Sequence, residues 1–170
     1  MPVYDDHKLI FHHVPKTGGR AINAWLGGSQ ELEGHMPVHS AMKYLDSRRA
    51  SGYGYRLAFP SFTVIRDPFD RIRSAWMHHK RNEISTTNDW PHLFERDFEF
   101  ALLHDDFQKL MRDTMRSVHF YPLSWMFVEN GKLSIPDISL DFDNLERDTD
   151  LLAERFELWV DPFVFSPTLY

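Results

Sequence analysis

Apolar residues fall in short runs that glycine and proline cut off. Leu9–Val14 reads Leu-Ile-Phe-His-His-Val, a compact β-rich run that predicts a buried strand. Pro15-Lys16-Thr17-Gly18-Gly19 ends it. Arg20–Leu26 follows with Ala21, Ile22, Trp25 and Leu26 at helical spacing, until Gly27-Gly28 stops the pattern. Residues 29–38 are polar and predict a loop around Gly34-His35-Met36-Pro37. His39–Arg49 predicts a second helix, with Met42 and Leu45 facing inward, and Ser51–Tyr55 is a turn-rich connection. Phe62–Ile65 repeats the strand signal and Arg66-Asp67-Pro68 interrupts it. Pro68 suits the first turn of a helix whose apolar stripe is Phe69, Ile72, Ala75 and Trp76. Strand, short loop and helix thus occur twice, which predicts an α/β fold with a central parallel sheet flanked by helices.

The second half continues in the same style. Asp89–Arg116 predicts helix in two pieces, with Phe94, Phe98, Ala101 and Leu102 inside the first and Phe107, Leu110 and Met111 inside the second. Trp125–Val128 and Lys132–Ile135, joined by Asn130-Gly131, predict a hairpin with a two-residue turn. Ile138–Phe142 is a further strand candidate. Asp143 or Asn144 is placed to cap a helix running to about Phe156. The tail from about 158 to 170 holds Pro162 and Pro167 and is expected to be irregular. Without a repeat or a linker, residues 1–170 are expected to form a single domain.

Composition narrows the class. At 42% hydrophobic and 15% aromatic, the chain can fill a core and is not of the disordered type. The absence of cysteine excludes disulfides, zinc–thiolate sites and thiol nucleophiles. Met1–Lys8 is polar and charged, unlike a secretory signal, and no apolar run approaches the ~18–20 residues that cross a bilayer. The expectation is a cytoplasmic domain with no membrane partner. A net charge of −6 argues against a general nucleic-acid binder. Its distribution is uneven: residues 1–85 carry 12 Lys/Arg against 8 Asp/Glu, and residues 86–170 carry 7 against 17. A basic half in an acidic protein suggests a local site for an anionic ligand.

Two loops have the chemistry for such a ligand. In Pro15–Arg20, between strand and helix, glycines let the backbone approach an anion, helix N–H groups point at it, and Lys16 adds a mobile charge. The lysine precedes the glycines, unlike the ordinary nucleotide P-loop, and a plain tight turn is the competing reading. In Arg66–Ser74, Arg66 ends a buried strand, where ligands of parallel sheets gather, while Arg71 and Ser74 sit on the following helix. Guanidinium and hydroxyl together suit a phosphate dianion. The alternative here is a helix start with Asp–Arg pairs on its wet face.

Together, Phe11-His-His-Val-Pro-Lys-Thr-Gly-Gly19 and Phe62-Thr-Val-Ile-Arg-Asp-Pro-Phe-Asp-Arg-Ile-Arg-Ser-Ala-Trp76 resemble the sulfotransferases that use 3′-phosphoadenosine 5′-phosphosulfate (PAPS), most closely the carbohydrate branch. Gly34-His35-Met36-Pro37, His119-Phe-Tyr-Pro122 and Asp141-Phe-Asp-Asn-Leu-Glu-Arg-Asp148 resemble further blocks of that family, in the expected order over roughly residues 8–157. The resemblance implies a P-loop, nucleotide-kinase-like sulfotransferase fold. It also implies transfer of a sulfonyl group from PAPS to a hydroxyl, on a carbohydrate, with 3′,5′-adenosine bisphosphate (PAP) as product and no metal. On it, Lys16 contacts the bridging and sulfonyl oxygens, and Thr17, Gly18, Gly19, Arg20 and Ala21 line the 5′-phosphate. Arg66 and Ser74 hold the 3′-phosphate, and Arg71 braces the loop. Arg20-Ala21 stands where hydroxyl residues are common, and Leu123 where glutamine is frequent. Relatives usually continue into a basic segment that closes over the nucleotide. The alternatives are a non-catalytic PAP-binding module of the same fold, or a small atypical kinase.

Transfer to a hydroxyl calls for a base near the acceptor, and histidine has the pKa range for it. Among ten histidines, His35 matches the family's position and is the first choice, with His39 in reserve. His12 and His13 point to opposite faces of their strand, so one is expected to be a hydrogen-bonded core residue. His78-His79 reads as a solvated helix end or an acidic-substrate edge, and His119 either touches the acceptor or packs beneath the Pro122 turn, with packing the preferred reading. Trp25 and Trp76 are expected in the core against the sheet, while Trp90 and Trp125 remain candidates for stacking on a sugar or adenine. No His/Asp/Glu set has metal-ligand spacing. The acidic second half would repel a heavily sulfated polymer, which points to a small or weakly charged acceptor.

Overall fold

In the computed structural model, which describes residues 2–28, 38–47, 58–81, 98–103, 118–129 and 131–164, the two apolar runs lie side by side. Strand β2 (Leu9–His12) has all four side chains buried, as a strand covered on both faces requires. It pairs in parallel with β3 (Ser61–Ile65), placing Phe11 opposite Phe62 and His12 opposite Thr63. β1 (Val3–Tyr4) flanks β2 antiparallel, and β6 (Ile138–Asp141) flanks β3 in parallel, so the sheet order is β1-β2-β3-β6. Ser61 anchors that last pairing, because its N–H and hydroxyl both donate to Asp137 Oδ2 at 2.7 and 2.8 Å. These bonds hold the Asp137 carboxyl below its ordinary range. The chain is an α/β domain with a mostly parallel central sheet flanked by helices.

Helix α1 (Gly19–Trp25) follows β2, α2 spans Val38–Ser47, and α3 (Pro68–Arg81) follows β3. Beyond α4 (Phe98–Leu102) come a 3₁₀ turn at Val118–Phe120 and α5 (Leu123–Phe127). The small hairpin of β4 (Val128–Glu129) and β5 (Lys132–Leu133) precedes β6, and α6 (Leu145–Arg155) closes the order. Ile22 and Leu26 from the α1 end, with Leu145 and Leu152 from α6, bury one core with Leu9, Phe11, Phe62, Val64 and Leu140 of the sheet. Phe11 and Phe62 stack across the central pair at 4.9 Å. Residues 156–164 are irregular yet anchored: Trp25 Nε1 donates to Asp161 O at 2.8 Å, and Phe163 enters the core.

Several local expectations change. Trp125–Phe127 are helical, since Pro122 starts a helical turn and Trp125 N–H donates to its carbonyl; the hairpin keeps only two residues per strand. Phe142 leaves the strand for a 3₁₀ turn. Neither Asp143 nor Asn144 caps α6 with a side chain. Asn144 holds the N-cap position of α6 without such a bond, and Asp141 caps the preceding 3₁₀ turn (Phe142–Asn144), accepting from Asp143 N–H and from Asn144 Nδ2. Trp76 is fully buried, but against Phe98, Ala101 and Phe120 in a second core away from the sheet. Phe69 is exposed beside Phe98 and leaves the α3 stripe. The predicted helix at Asp89–Arg116 lies largely outside the described residues, as do the loop at Gly34–Pro37, Trp90 and the Leu45 side chain.

His12 is the core histidine, 1% exposed, but the expected hydrogen bond is missing at Nδ1, which has no partner among the described residues. Burial drives its pKa from 6.5 to about 4, helped by the N-terminal charge and opposed by Asp137. The fold therefore binds neutral His12, while the unfolded chain takes up a proton below pH 6.5. Stability from this residue is complete above about pH 6.5 and is lost as pH falls toward 4, by about 3 kcal/mol at most. His12→Leu should be neutral or stabilising at pH 7. It should also flatten, though not abolish, the decline of the urea midpoint between pH 6.5 and 4. An unchanged acid slope would show that His12 is not responsible.

Candidate functional site

The parallel strands β2, β3 and β6 all end at the same edge of the sheet, where ligands of open α/β sheets collect. The β2–α1 loop is held in a strained shape there. Lys16 has φ +67° and Gly18 φ +79°; for lysine this left-handed conformation costs about 1–2 kcal/mol. Thr17 secures it from below, fully buried, with its hydroxyl donating to Val14 O at 2.9 Å. The Gly18 carbonyl accepts from Ala21 and Ile22 N–H and starts α1. Gly19 is required for space: a Cβ there would sit 1.8 Å from His13 Nε2. The His13 ring is in turn stacked on Phe11 at 5.3 Å.

The second loop is set by Asp67. Its Oδ1 accepts from Phe69 and Asp70 N–H at 2.8 and 3.0 Å, capping α3 as Pro68 enters the first turn. Arg66, at the end of β3, then turns toward the first loop. Its Nη1 donates to Lys16 O at 3.1 Å, and its guanidinium carbon lies 4.1 Å over the Phe142 ring. The Arg66 Nε is buried and has no partner among the described residues. Burial lowers the Arg66 pKa, against the opposing pull of Asp70, Asp143 and Asp67. Arg71, 2% exposed, points the other way: Nη1 donates to His119 O at 3.0 Å and Nη2 to Tyr121 O. It braces the 118–121 segment, 48 to 50 residues along the chain.

These elements enclose one pocket. Lys16, Gly18, Gly19 and Arg20 form one side, Arg66 and Ser74 another, and His13, His78, His119 and Phe142 complete the wall. Among the described residues three cationic side chains and no carboxylate line it, a lining suited to an anion. Of the residues assigned from sequence, Lys16, Gly18, Gly19, Arg20, Arg66 and Ser74 come together. Thr17 and Ala21 are not part of the lining; Thr17 faces inward and Ala21 packs on the core. His35 lies outside the described residues. For His39 only the backbone, in α2, is described. Among the described residues, no group of His, Asp or Glu is arranged to hold a metal ion.

Sequence reading missed the histidine wall. His78 and His79 are not a solvated helix end, and His119 does more than pack. Their rings meet: His78 lies 5.2 Å and His79 5.1 Å from His119, and His119 Nδ1 is 3.1 Å from His79 Nε2. His79 also stacks on Phe120. Burial, then the charges of His78 and Lys16, push the His79 pKa down to about 4; burial, Lys16 and Arg20 lower that of His78. The available signal was spacing: Ser74 and His78 are one helical turn apart on α3, so a pocket that uses Ser74 also reaches His78.

A family model described as "Sulfotransferase family" matches residues 1–164. Comparison with curated proteins and with solved structures gave no match. No described helix is long and apolar enough to cross a membrane.

Gly19→Ala should displace the His13 ring from Phe11 and lower stability by about 1–3 kcal/mol. A denaturant midpoint equal to that of the wild type would show that the Gly19–His13 contact is not tight.

Proposed function

The chain belongs to the sulfotransferase family, and we propose that it transfers a sulfonyl group from PAPS to a hydroxyl of a carbohydrate, with residues 1–170 forming one such domain. The observation that carries this reading is the joining of two cationic loops in one pocket, through the bond from Arg66 Nη1 to Lys16 O. PAPS has anionic groups at both ends of its ribose. In this reading Arg66 and Ser74 take the 3′-phosphate. Lys16, Gly18, Gly19 and Arg20 take the 5′-phosphosulfate, with Thr17 contributing its main-chain N–H group; the Ala21 N–H is already given to the Gly18 carbonyl. Phe142 covers one face of the Arg66 guanidinium, which leaves its edges for oxygen ligands.

The chemistry asks mainly for alignment and for stabilisation of charge on the leaving phosphate. The acceptor oxygen forms the new O–S bond while the S–O bond to the 5′-phosphate breaks. Lys16, fixed by the strained loop, meets the negative charge left on that phosphate. The mechanism places no metal in the pocket. The transfer also needs a base at the acceptor hydroxyl; His35, the residue that the resemblance implied, lies outside the described residues. The acceptor is small or weakly charged, because the acidic second half disfavours a polyanion.

Calorimetric titration tests the donor. PAP should bind at least tenfold more tightly than AMP, a difference of ~1.4 kcal/mol, and more tightly than magnesium-ATP. Arg66→Gln should erase the preference over AMP. Equal binding of PAP and AMP by the wild type would contradict the reading. Lys16→Ala should lower turnover of PAPS at least ~100-fold while weakening PAP far less, the pattern of a group used chiefly in the transition state. PAP binding that weakens in Lys16→Ala, with no PAPS turnover in the wild type, would instead mark a binding module.

A further inference from the structure

His78 and His119 of the histidine wall line the same pocket as Lys16 and Arg20. His78 follows Ser74 by one turn of α3 and lies within electrostatic reach of Lys16 and Arg20. His119 enters from the 3₁₀ turn at Val118–Phe120 and is held from two directions. Arg71 grips the carbonyls of His119 and Tyr121, and His79 Nε2 meets the ring at Nδ1, 3.1 Å away. Both holding residues lie on α3, the helix that supplies Ser74. An imidazole in the lining of a site, fixed at one nitrogen by an orienting group, has the geometry of a general base.

Resting on the PAPS reading above, we propose that His119, not His35, takes the proton from the acceptor hydroxyl, and that His79 is its positioning residue. The acceptor oxygen's lone pair forms the O–S bond and its proton passes to His119 Nε2. The electrons of the breaking S–O bond go to the 5′-phosphate beside Lys16. The His119 imidazolium then donates from Nδ1–H to Nε2 of His79 and later releases its extra proton to solvent. His79 is suited to this because burial against Phe120 keeps it neutral, with its pKa near 4, so it orients through a hydrogen bond and not through charge. A carboxylate does that work in the serine hydrolase triad. Among the described residues, the rings of His78 and His79 from α3 meet the His119 ring, and His13 and Lys16 from the β2–α1 loop, Arg20 from α1 and Arg66 from the end of β3 line the same pocket.

The test follows PAP formation from PAPS with water and with methyl glucoside as hydroxyl acceptors, across pH 5–9. Wild-type turnover should rise with pH through one ionisation. His119→Gln, which keeps the carbonyl that Arg71 grips, should lose at least ~100-fold in kcat and the inflection with it, with PAP affinity within twofold. His79→Phe should lower kcat at least ~10-fold and move the inflection to lower pH, because the imidazolium loses its acceptor; PAPS KM should hold. His79→Gln, whose amide oxygen accepts the same bond, should recover most of both. His35→Gln should keep the wild-type profile. In the unaltered protein with PAP bound, imidazole ¹⁵N spectra should show His119 titrating while His79 stays neutral from pH 5 to 8. A wild-type profile for His119→Gln, loss of the inflection in His35→Gln, or a His79 that protonates in that range would overturn the proposal alone. Failure of the wild type to bind PAP would remove the PAPS reading and this proposal with it.

Discussion

One guanidinium ties this site together. Arg66 ends β3, donates to the carbonyl of Lys16 in the neighbouring loop, and lies over Phe142 at the end of β6. Three parallel strands therefore meet at one side chain, and the relative position of the two cationic loops depends on it. Burying a charge is unfavourable unless hydrogen bonds and nearby charges compensate. Here a carbonyl, an aromatic face and the acidic groups of Asp67, Asp70 and Asp143 do so. The Arg66 Nε remains unpartnered among the described residues, and an anionic ligand would supply an acceptor next to it.

Helix α3 organises the rest. Asp67 caps its start, Arg71 leaves its first turn to hold the 118–121 segment, Ser74 reaches the pocket, and Trp76 anchors the second core. His78 and His79 follow on the last turns and meet His119. A single rigid element thus sets the anion-binding hydroxyl, the brace and the histidine wall. Side chains on one helix keep their mutual geometry better than side chains on separate loops. The strain in Lys16 has a similar logic, since the backbone conformation is held by Thr17 beneath it and by Arg66 beside it.

Much of this architecture was legible in the sequence because it is local. The runs at Leu9–His12 and Phe62–Ile65 announce buried strands, and the abrupt Pro-Lys-Thr-Gly-Gly and Arg-Asp-Pro breaks mark the loops. The resemblance then assigned Lys16, Gly18, Gly19, Arg20, Arg66 and Ser74, which the fold brings into one pocket. What stayed hidden is long-range. The contact between His79 and His119 spans 40 residues, so nothing in either neighbourhood reveals it. Trp76 showed its apolar character but not which core it would enter. Competition between nearby formers hid the Trp125–Phe127 helix and the 3₁₀ cap at Asp141, because β-rich residues followed a helix-starting proline and three Asp/Asn residues lay within four positions.

The central claim is that two loops hold the two anionic ends of one nucleotide. A crystal structure of the protein with PAP tests it most directly. The account predicts the 3′-phosphate within hydrogen-bond distance of Arg66 and Ser74, and the 5′-phosphate against Lys16 and the Gly18–Arg20 backbone. A nucleotide bound elsewhere, or bound with its 3′-phosphate turned away from Arg66, would contradict it.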